Sequence, residues 1–290
     1  MFSSATSMPT AERNPALSGK DFTRLSSFIY EHCGIKMPPA KKTMLEARLQ
    51  KRLRALSMPS FSDYCEYLFS QEGLRNELIM MVDLVTTNKT DFFREPAHFT
   101  YLVNTVIPEW QKKTGGRRPL NVWSAGCSTG EEPYTLAMVL SEVAAAQQDG
   151  FSYQIMATDI STRVLERAKK AVYDEDRIDP VPMQLRRKYL LRSKDRTNPL
   201  VRIVPELRSR IRFSRLNFMD SDFGFKEQLD IIFCRNVIIY FDRKTQERLL
   251  NKFHGHLRAG GWIFMGHSET LNGLDVPLVQ VHPTVYRKPA

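Results

Sequence analysis

What this chain of 290 residues lacks narrows it first. It has only four cysteines, Cys33, Cys65, Cys127 and Cys234, far apart and without a CxxC pair. That removes a disulfide framework and a cysteine zinc site, and points to reduced thiols in a cytoplasmic protein. The six histidines do not supply a metal site instead. His254 and His256 are two apart, so on a helix they point to different faces, and no metal is expected. Long apolar runs are missing too. The most apolar stretch, Leu229 to Phe241, is broken by Arg235 and Asn236 and is too short to cross a bilayer, so membrane insertion is not expected. The start, Met1 to Ser18, has no apolar core of the kind a secretory signal carries. Small, polar and proline-bearing, residues 1–17 read as a flexible tail. Repeats and low-complexity linkers are absent from the sequence.

What remains is a globular composition, 42% apolar and 26% charged, long enough for a catalytic domain with a small companion. The net charge of +10 is concentrated. Lys36 to Arg54 holds seven basic residues against Glu46 alone, and Gln184 to Arg215 holds eleven against Asp195 and Glu206. The rest of the chain is mildly acidic. Two basic patches imply an anionic macromolecular partner, although charge alone does not separate nucleic acid, membrane surface and acidic protein.

Residues 18–85 read as a helical domain. Ser18 with Asp21 is a capping box, and Phe22, Leu25, Phe28 and Ile29 form an apolar stripe that Gly34 ends. A second helix, about Ala40 to Ser57, turns Leu45, Leu49, Leu53 and Leu56 inward, with Arg48, Lys51 and Arg52 on another face. Two more follow, about Ser62 to Gln71 and Leu74 to Val85. Residues 86–290 read as a second domain, in which strand and helix alternate from Leu120 onward: strands at Leu120 to Ser124, Tyr153 to Thr158, Ile211 to Asn217 and Leu229 to Cys234, with helices at Glu131 to Gln147, after Ser161, and at Arg243 to Leu257. Such alternation predicts an α/β, doubly wound Rossmann-like sheet. Trp262 to Gly266 and Thr284 to Lys288 end the chain as strands, compatible with a reversed hairpin closing the sheet. Between the second and third strands lies an insertion, about 174–210. Its segments Tyr189 to Arg192 and Leu200 to Val204 look like a small antiparallel unit.

Ser124 to Gly130 joins a strand to a helix that opens Glu131-Glu132-Pro133. Glycines in such a turn allow close approach of a ligand, although a plain tight turn would use them as well. The spacing is G-x-x-x-G rather than the GxGxxG of a dinucleotide site, and two glutamates stand where phosphate would sit. A cationic ligand without phosphate fits better, and S-adenosylmethionine carries a sulfonium and an ammonium. Asp159, at the end of the second strand, is placed to accept ribose hydroxyl protons; the plainer reading is a helix N-cap.

At this point the chain resembles one family, the chemotaxis receptor protein-glutamate methyltransferases of the CheR type. The matching phrases are Thr86-Thr87-Asn88-Lys89-Thr90-Asp91-Phe92-Phe93-Arg94-Glu95, Trp123 through Tyr134, Phe233-Cys234-Arg235-Asn236-Val237 with Tyr240-Phe241, and Gly266-His267-Ser268-Glu269. They run in the family's order. The resemblance implies that Asn88, Thr90 and Arg94 line the methionine side of S-adenosylmethionine and that Glu132 pairs with its ammonium or a nearby polar group. It further implies that Asp159 holds the ribose, that Asn217 and Phe218 border the adenine, and that Arg235 and Asn236 lie near the methionine moiety. Arg94 and Tyr240 would orient a substrate carboxylate; Lys89 and Asp91 carry no assignment. The Gly126-Cys127 pair, where relatives carry alanines, is a departure conservative in size.

The implied reaction forms glutamate methyl esters and S-adenosylhomocysteine by displacement at the sulfonium methyl. A carboxylate is already ionised at neutral pH, so no strong general base is required. The implied partner is the acidic coiled-coil cytoplasmic region of chemotaxis receptors, resting on Arg48, Lys51, Arg52 and Arg54, with a receptor C-terminal peptide docking on the insertion as in some family members. Two rivals stand beside this. A nucleic-acid methyltransferase would share sheet and charge, but amino-methylating enzymes place Asn or Asp before Pro-Pro-aromatic where this chain has Cys234-Arg235-Asn236-Val237, so no nucleic-acid partner is expected. A non-enzymatic cofactor-binding regulator would not need Arg94, Asp159 and Tyr240 together.

Overall fold

A computed structural model describes residues 15–147, 150–195 and 197–290. The tail expected over residues 1–17 therefore lies almost wholly outside the described residues. Its last residues are anchored: Leu17 is buried, its N–H donates to Glu46 Oε2 at 3.0 Å, and Pro15 O accepts from Gln50 Nε2 at 2.7 Å.

The described residues form two compact units. One takes the residues up to Ile29 with Met37–Val85; the other takes Tyr30–Lys36 with Thr86–Ala290. In the first, α1 (Gly19–Cys33) starts where its capping residues place it: Ser18 Oγ donates to Asp21 Oδ2 at 2.7 Å and accepts from Asp21 N at 3.0 Å. After a 3₁₀ turn at Pro39–Lys41, α2 (Lys42–Ala55) buries Leu45, Leu49 and Leu53. Leu56, expected inward, lies past the helix end and is half-buried. Next comes α3 (Phe61–Phe69). The single helix expected at residues 74–85 is two, α4 (Gln71–Asn76) and α5 (Leu78–Val85). The break falls at Glu77, whose buried carboxylate accepts Arg52 Nε and Nη2, both at 2.7 Å, and Tyr64 OH at 2.9 Å.

The second unit opens with α6 (Ala97–Tyr101), a π-helical turn at Leu102–Val106 and α7 (Ile107–Thr114). Then come β1 (Leu120–Ala125), α8 (Glu131–Ala146), β2 (Tyr153–Asp159) and α9 (Thr162–Lys170). The insertion holds β3 (Val172–Asp174), α10 (Met183–Tyr189), β4 (Leu190–Arg192), β5 (Leu200–Ile203) and α11 (Pro205–Arg208). The chain continues with β6 (Ile211–Arg215), β7 (Leu229–Cys234), α12 (Arg243–His256), β8 (Leu257–Met265), β9 (Val279–His282) and β10 (Val285–Arg287).

Seven strands form one sheet in the order β6-β2-β1-β7-β8-β10-β9. The first five run parallel, and β10 pairs antiparallel with both β8 and β9, which gives the reversed closing hairpin. The fold is thus the doubly wound sheet the alternation predicts. β1 and β7 are buried at every position, as central parallel strands covered on both faces must be. Alternate residues feed two cores: Val122, Ile231 and Phe233 meet Leu136 and Leu140 of α8, while Trp123, Ile232 and Cys234 meet Leu249 and Phe253 of α12. Trp110, Trp123 and Trp262 are all buried in these layers. The insertion is a three-stranded sheet, β3-β5-β4, both pairs antiparallel. Its strand β3 has only three residues, too short for periodicity to reveal, and was not expected. Among the described residues no helix is long and apolar enough to cross a membrane.

Candidate functional site

β1 lies between β2 and β7, so the connections leaving the carboxyl ends of β1 and β7 diverge and open a crevice there. The loop after β1 is folded tightly upon itself. Gly126 N and Cys127 N donate to Thr158 O at 2.8 and 2.9 Å, Ser128 N to Asp159 Oδ2 at 2.9 Å, and Gly130 N to Cys127 O at 3.1 Å. These four N–H groups therefore have protein acceptors and cannot receive a pyrophosphate. Gly126 is required on two counts: its φ is +84°, and a Cβ there would stand 2.7 Å from Val237 Cγ2.

Asp159 is buried, and its second oxygen accepts Ser161 N at 3.0 Å. It therefore pins both the glycine loop and the start of the α9 turn. The helix cap itself is Ser161, whose Oγ accepts Val164 N at 3.4 Å. Leu216 N donates to Asp159 O at 3.0 Å, which brings Asn217 and Phe218 beside this strand end. The Asn217 side chain is engaged in the fold, donating to His32 O at 2.6 Å and accepting Met219 N at 3.0 Å. Phe218 is half-buried, with its ring edge-on to those of Trp123 and Phe253.

From β1 across to β7 runs a buried ion pair. Glu132 Oε2 accepts Arg235 Nε at 2.7 Å, and Glu132 Oε1 accepts Ser124 Oγ at 2.7 Å. Arg235 Nη1 donates to Arg94 O at 2.7 Å and lies 3.3 Å from His98 Nδ1, and the guanidinium sits over the Phe99 ring at 5.3 Å. Neither charge faces outward. Glu132 is held by Arg235 and a hydroxyl within the fold. The motif loop before α6 closes over this pair. Ser128 Oγ donates to Asn88 O at 2.8 Å, Arg94 Nη1 to Lys89 O at 3.2 Å, and Arg177 Nη2 to Thr90 O at 2.5 Å. Phe93, Glu95 and Asn236 all adopt left-handed backbone conformations, with φ between 52° and 59°. Three non-glycine residues in that region mark a crevice whose loops are over-determined by packing.

Glu269, in the last matching phrase but without an assignment on sequence, organises the β7 side. Its buried carboxylate accepts Gly266 N at 2.6 Å, Asn236 N at 2.8 Å, Val237 N at 2.8 Å and Ile238 N at 2.9 Å. Burial raises its pKa against the four amides that lower it. This clamp fixes the path into the 3₁₀ turn Ile238–Tyr240. Two buried acceptors stay without a hydrogen-bond partner here, Asn236 Oδ1 and Glu95 Oε2.

Residues 88–286 match the family described as CheR methyltransferase, SAM binding domain, and residues 20–86 match CheR methyltransferase, all-alpha domain. The chain belongs to the CheR methyltransferase family. It is a methyltransferase of the kind that uses S-adenosylmethionine. A chemotaxis protein methyltransferase of Borreliella burgdorferi is 38% identical, with 95% of this chain and 96% of that one covered. Chemotaxis protein methyltransferase 2 of Pseudomonas aeruginosa is 36% identical over 96% and 99%, and the Klebsiella aerogenes chemotaxis protein methyltransferase 39% over 95% and 91%. S-adenosylmethionine suits the residues present: Asn236 Oδ1 and Glu95 Oε2 are buried acceptors without a hydrogen-bond partner, and Gly126, Cys127, Ser128 and Gly130 turn their N–H groups onto protein acceptors.

In this CheR-family chain the remaining expected residues fall differently. Tyr240 is half-buried, and its backbone carbonyl accepts Lys36 N at 2.9 Å. In the helical unit Arg48 donates to Val85 O at 2.6 Å, Arg52 is held by Glu77, and Lys51 and Arg54 are exposed. The expected basic face is thus partly internal structure, because a helix that alternates charged and apolar residues turns some of its cations toward its neighbours. Cys127 and Cys234 are fully buried free thiols, pushed well above the usual thiol range by burial, as packing residues would be. Glu95, His98 and His267 bring possible ligand atoms within 4.8 Å of one another. However, Arg235 Nη1 stands 3.7 Å from Glu95 Oε2, and His98 Nε2 bonds Thr284 Oγ1 at 2.8 Å. A guanidinium already supplies the positive charge at this centre. Burial, then Arg235, lowers the His98 pKa to about 4, so the ring is neutral.

Proposed function

We propose that this chain transfers the methyl group of S-adenosylmethionine to glutamate side-chain carboxylates of chemotaxis receptors, leaving methyl esters and S-adenosylhomocysteine. The observation carrying the reading is the set of acceptors at the carboxyl edge of β1, β2 and β7. Asp159 is a buried carboxylate at the end of β2, and Asn236 Oδ1 is buried without a donor. Asp159 takes the ribose hydroxyl protons. Asn88, Thr90, Arg94 and Asn236 surround the methionine end, and Asn217 and Phe218 border the adenine. Arg235 and Glu132 act one step back, since their pairing holds Arg94 and Ser124 in register.

When bound, the cofactor supplies an electrophilic methyl carbon on a cationic sulfur. The acceptor carboxylate is ionised at neutral pH, so the protein's task is alignment of oxygen, carbon and sulfur. Arg94 and Tyr240 orient that carboxylate loosely, because a tight grip would stabilise the ground state as well. The exposed Lys51 and Arg54 meet the acidic coiled-coil region of the receptor. β4, an edge strand with Leu191 exposed, offers a peptide from the receptor C-terminus a place to add a strand.

Wild-type chain with labelled S-adenosylmethionine and a receptor cytoplasmic fragment should give label released as methanol by base, the signature of carboxyl esters. Tyr240→Phe should lower turnover by up to about a hundredfold while S-adenosylhomocysteine binds with wild-type heat in calorimetry. Loss of binding instead would remove Tyr240 from the substrate side.

A further inference from the structure

α12 carries two cations one turn apart, Arg248 and Lys252, and both reach the loop that joins β6 to β7. The loop begins with a turn over residues 217–220. In it Asn217 O accepts Asp220 N at 3.0 Å, and Asn217 Oδ1 accepts Met219 N at 3.0 Å. Lys252 Nζ donates to Phe218 O at 3.0 Å and to Asp220 O, and it stands 4.6 Å from the centre of the Phe223 ring. Arg248 Nη2 lies 3.3 Å from Met219 Sδ.

These contacts do more than satisfy acceptors. Asp220, Ser221 and Asp222 are exposed, and water would serve a surface carbonyl nearly as well. What the lysine adds is restriction. An ammonium has three donors, and here two carbonyls and the face of a ring divide them, so the turn keeps one path. Lys252 is half-buried for that purpose; burial lowers its pKa, Arg248 adds to the effect, and Asp220 and Asp222 oppose it. The restricted turn carries the Phe218 ring, which stands edge-on to Phe223 as well as to Trp123 at the end of β1.

We propose that Lys252 is a positioning residue for the cofactor: by fixing the carbonyls of Phe218 and Asp220, it holds Asn217 and Phe218 where the adenine is received. It rests on the reading above that these two residues border the adenine. A loop already in its binding shape loses less freedom when the ligand arrives, so the gain appears as affinity. Lys252 acts through the loop and not on the reacting atoms. Its effect therefore falls on the KM for S-adenosylmethionine and not on transfer from the bound cofactor.

The test compares wild type with Lys252→Met, Lys252→Arg, Phe218→Ala and Lys244→Met, each first shown to be folded by circular dichroism. Methionine keeps the apolar stem over Phe223 and removes the donors. Lys252→Met should weaken S-adenosylhomocysteine binding in calorimetry by about tenfold and raise the KM for S-adenosylmethionine in step. Its kcat and its KM for a receptor cytoplasmic fragment should stay at wild-type values. Lys252→Arg, which keeps charge and donors, should recover most of the affinity, and Lys244→Met, exposed on the same helix, should match wild type. Where Lys252→Met loses its fold, Lys252→Gln is read in its place. Wild-type affinity in Lys252→Met, beside a loss in Phe218→Ala, overturns the role of the lysine alone. Wild-type affinity in both variants overturns the adenine reading beneath it as well. An affinity that arginine does not recover, or a fall in kcat at saturating cofactor, assigns Lys252 to general packing and overturns the proposal.

Discussion

Glu269 draws four backbone N–H groups from two separate segments onto one carboxylate, and Gly266 is the residue that lets them meet: a Cβ there would stand 2.5 Å from Asn236 Nδ2. The amide isostere cannot substitute. Glu269→Gln keeps one acceptor oxygen and turns an NH₂ toward donors, so each N–H left without an acceptor costs roughly 1–3 kcal/mol. Urea denaturation of the variant should show that loss. Turnover should fall further than stability alone explains, because the same loop leads to Tyr240. A variant that unfolds with the wild type would show that the clamp contributes nothing. The role was out of reach from sequence: Glu269 stood inside a matching phrase, but only the fold reveals that residues 236–238 and 266 converge on it.

At the scale of elements, strands and helices with strong periodicity were legible, and so was the crevice, because Ser124 to Gly130 and Asp159 end consecutive parallel strands. Short or internally paired elements were not. β3 is too brief to carry a pattern, and the break between α4 and α5 follows from a tertiary ion pair at Glu77 that no local signal announces. That pair reinterprets the basic helix α2. Arg52→Ala should strand the buried Glu77 carboxylate and destabilise the helical unit by roughly 3 kcal/mol, the low end for breaking a buried pair, since Arg52 keeps some water contact. Hydrogen exchange across α2 and α5 should quicken accordingly, while Lys51→Glu should leave it unchanged. Equal protection in Arg52→Ala would show the pair to be dispensable.

For the molecule as a whole, His98 sets a pH dependence. Its folded pKa of about 4 lies below the ordinary value near 6.5, so between those values the unfolded chain binds the proton and the folded chain does not. The stability contributed by keeping this ring neutral is complete above about pH 6.5 and is lost as pH falls toward 4. Urea titrations at stepped pH should show that slope in the wild type and a flatter one in His98→Gln. An identical slope in the variant would assign the loss to other groups. Net charge pointed from the outset to an anionic partner without saying which kind, because nucleic acid and acidic protein demand the same field.

The three tryptophans, at positions 110, 123 and 262, all lie in the sheet-bearing unit, and the helical unit has none. Ultraviolet emission from this molecule is therefore a one-sided witness. It registers loosening around β1, α7 and β8 and stays silent while α2 to α5 come apart. An optical melt can look like a single event even when the two units part company at different temperatures, and only a probe sensitive to helix content would expose the earlier step.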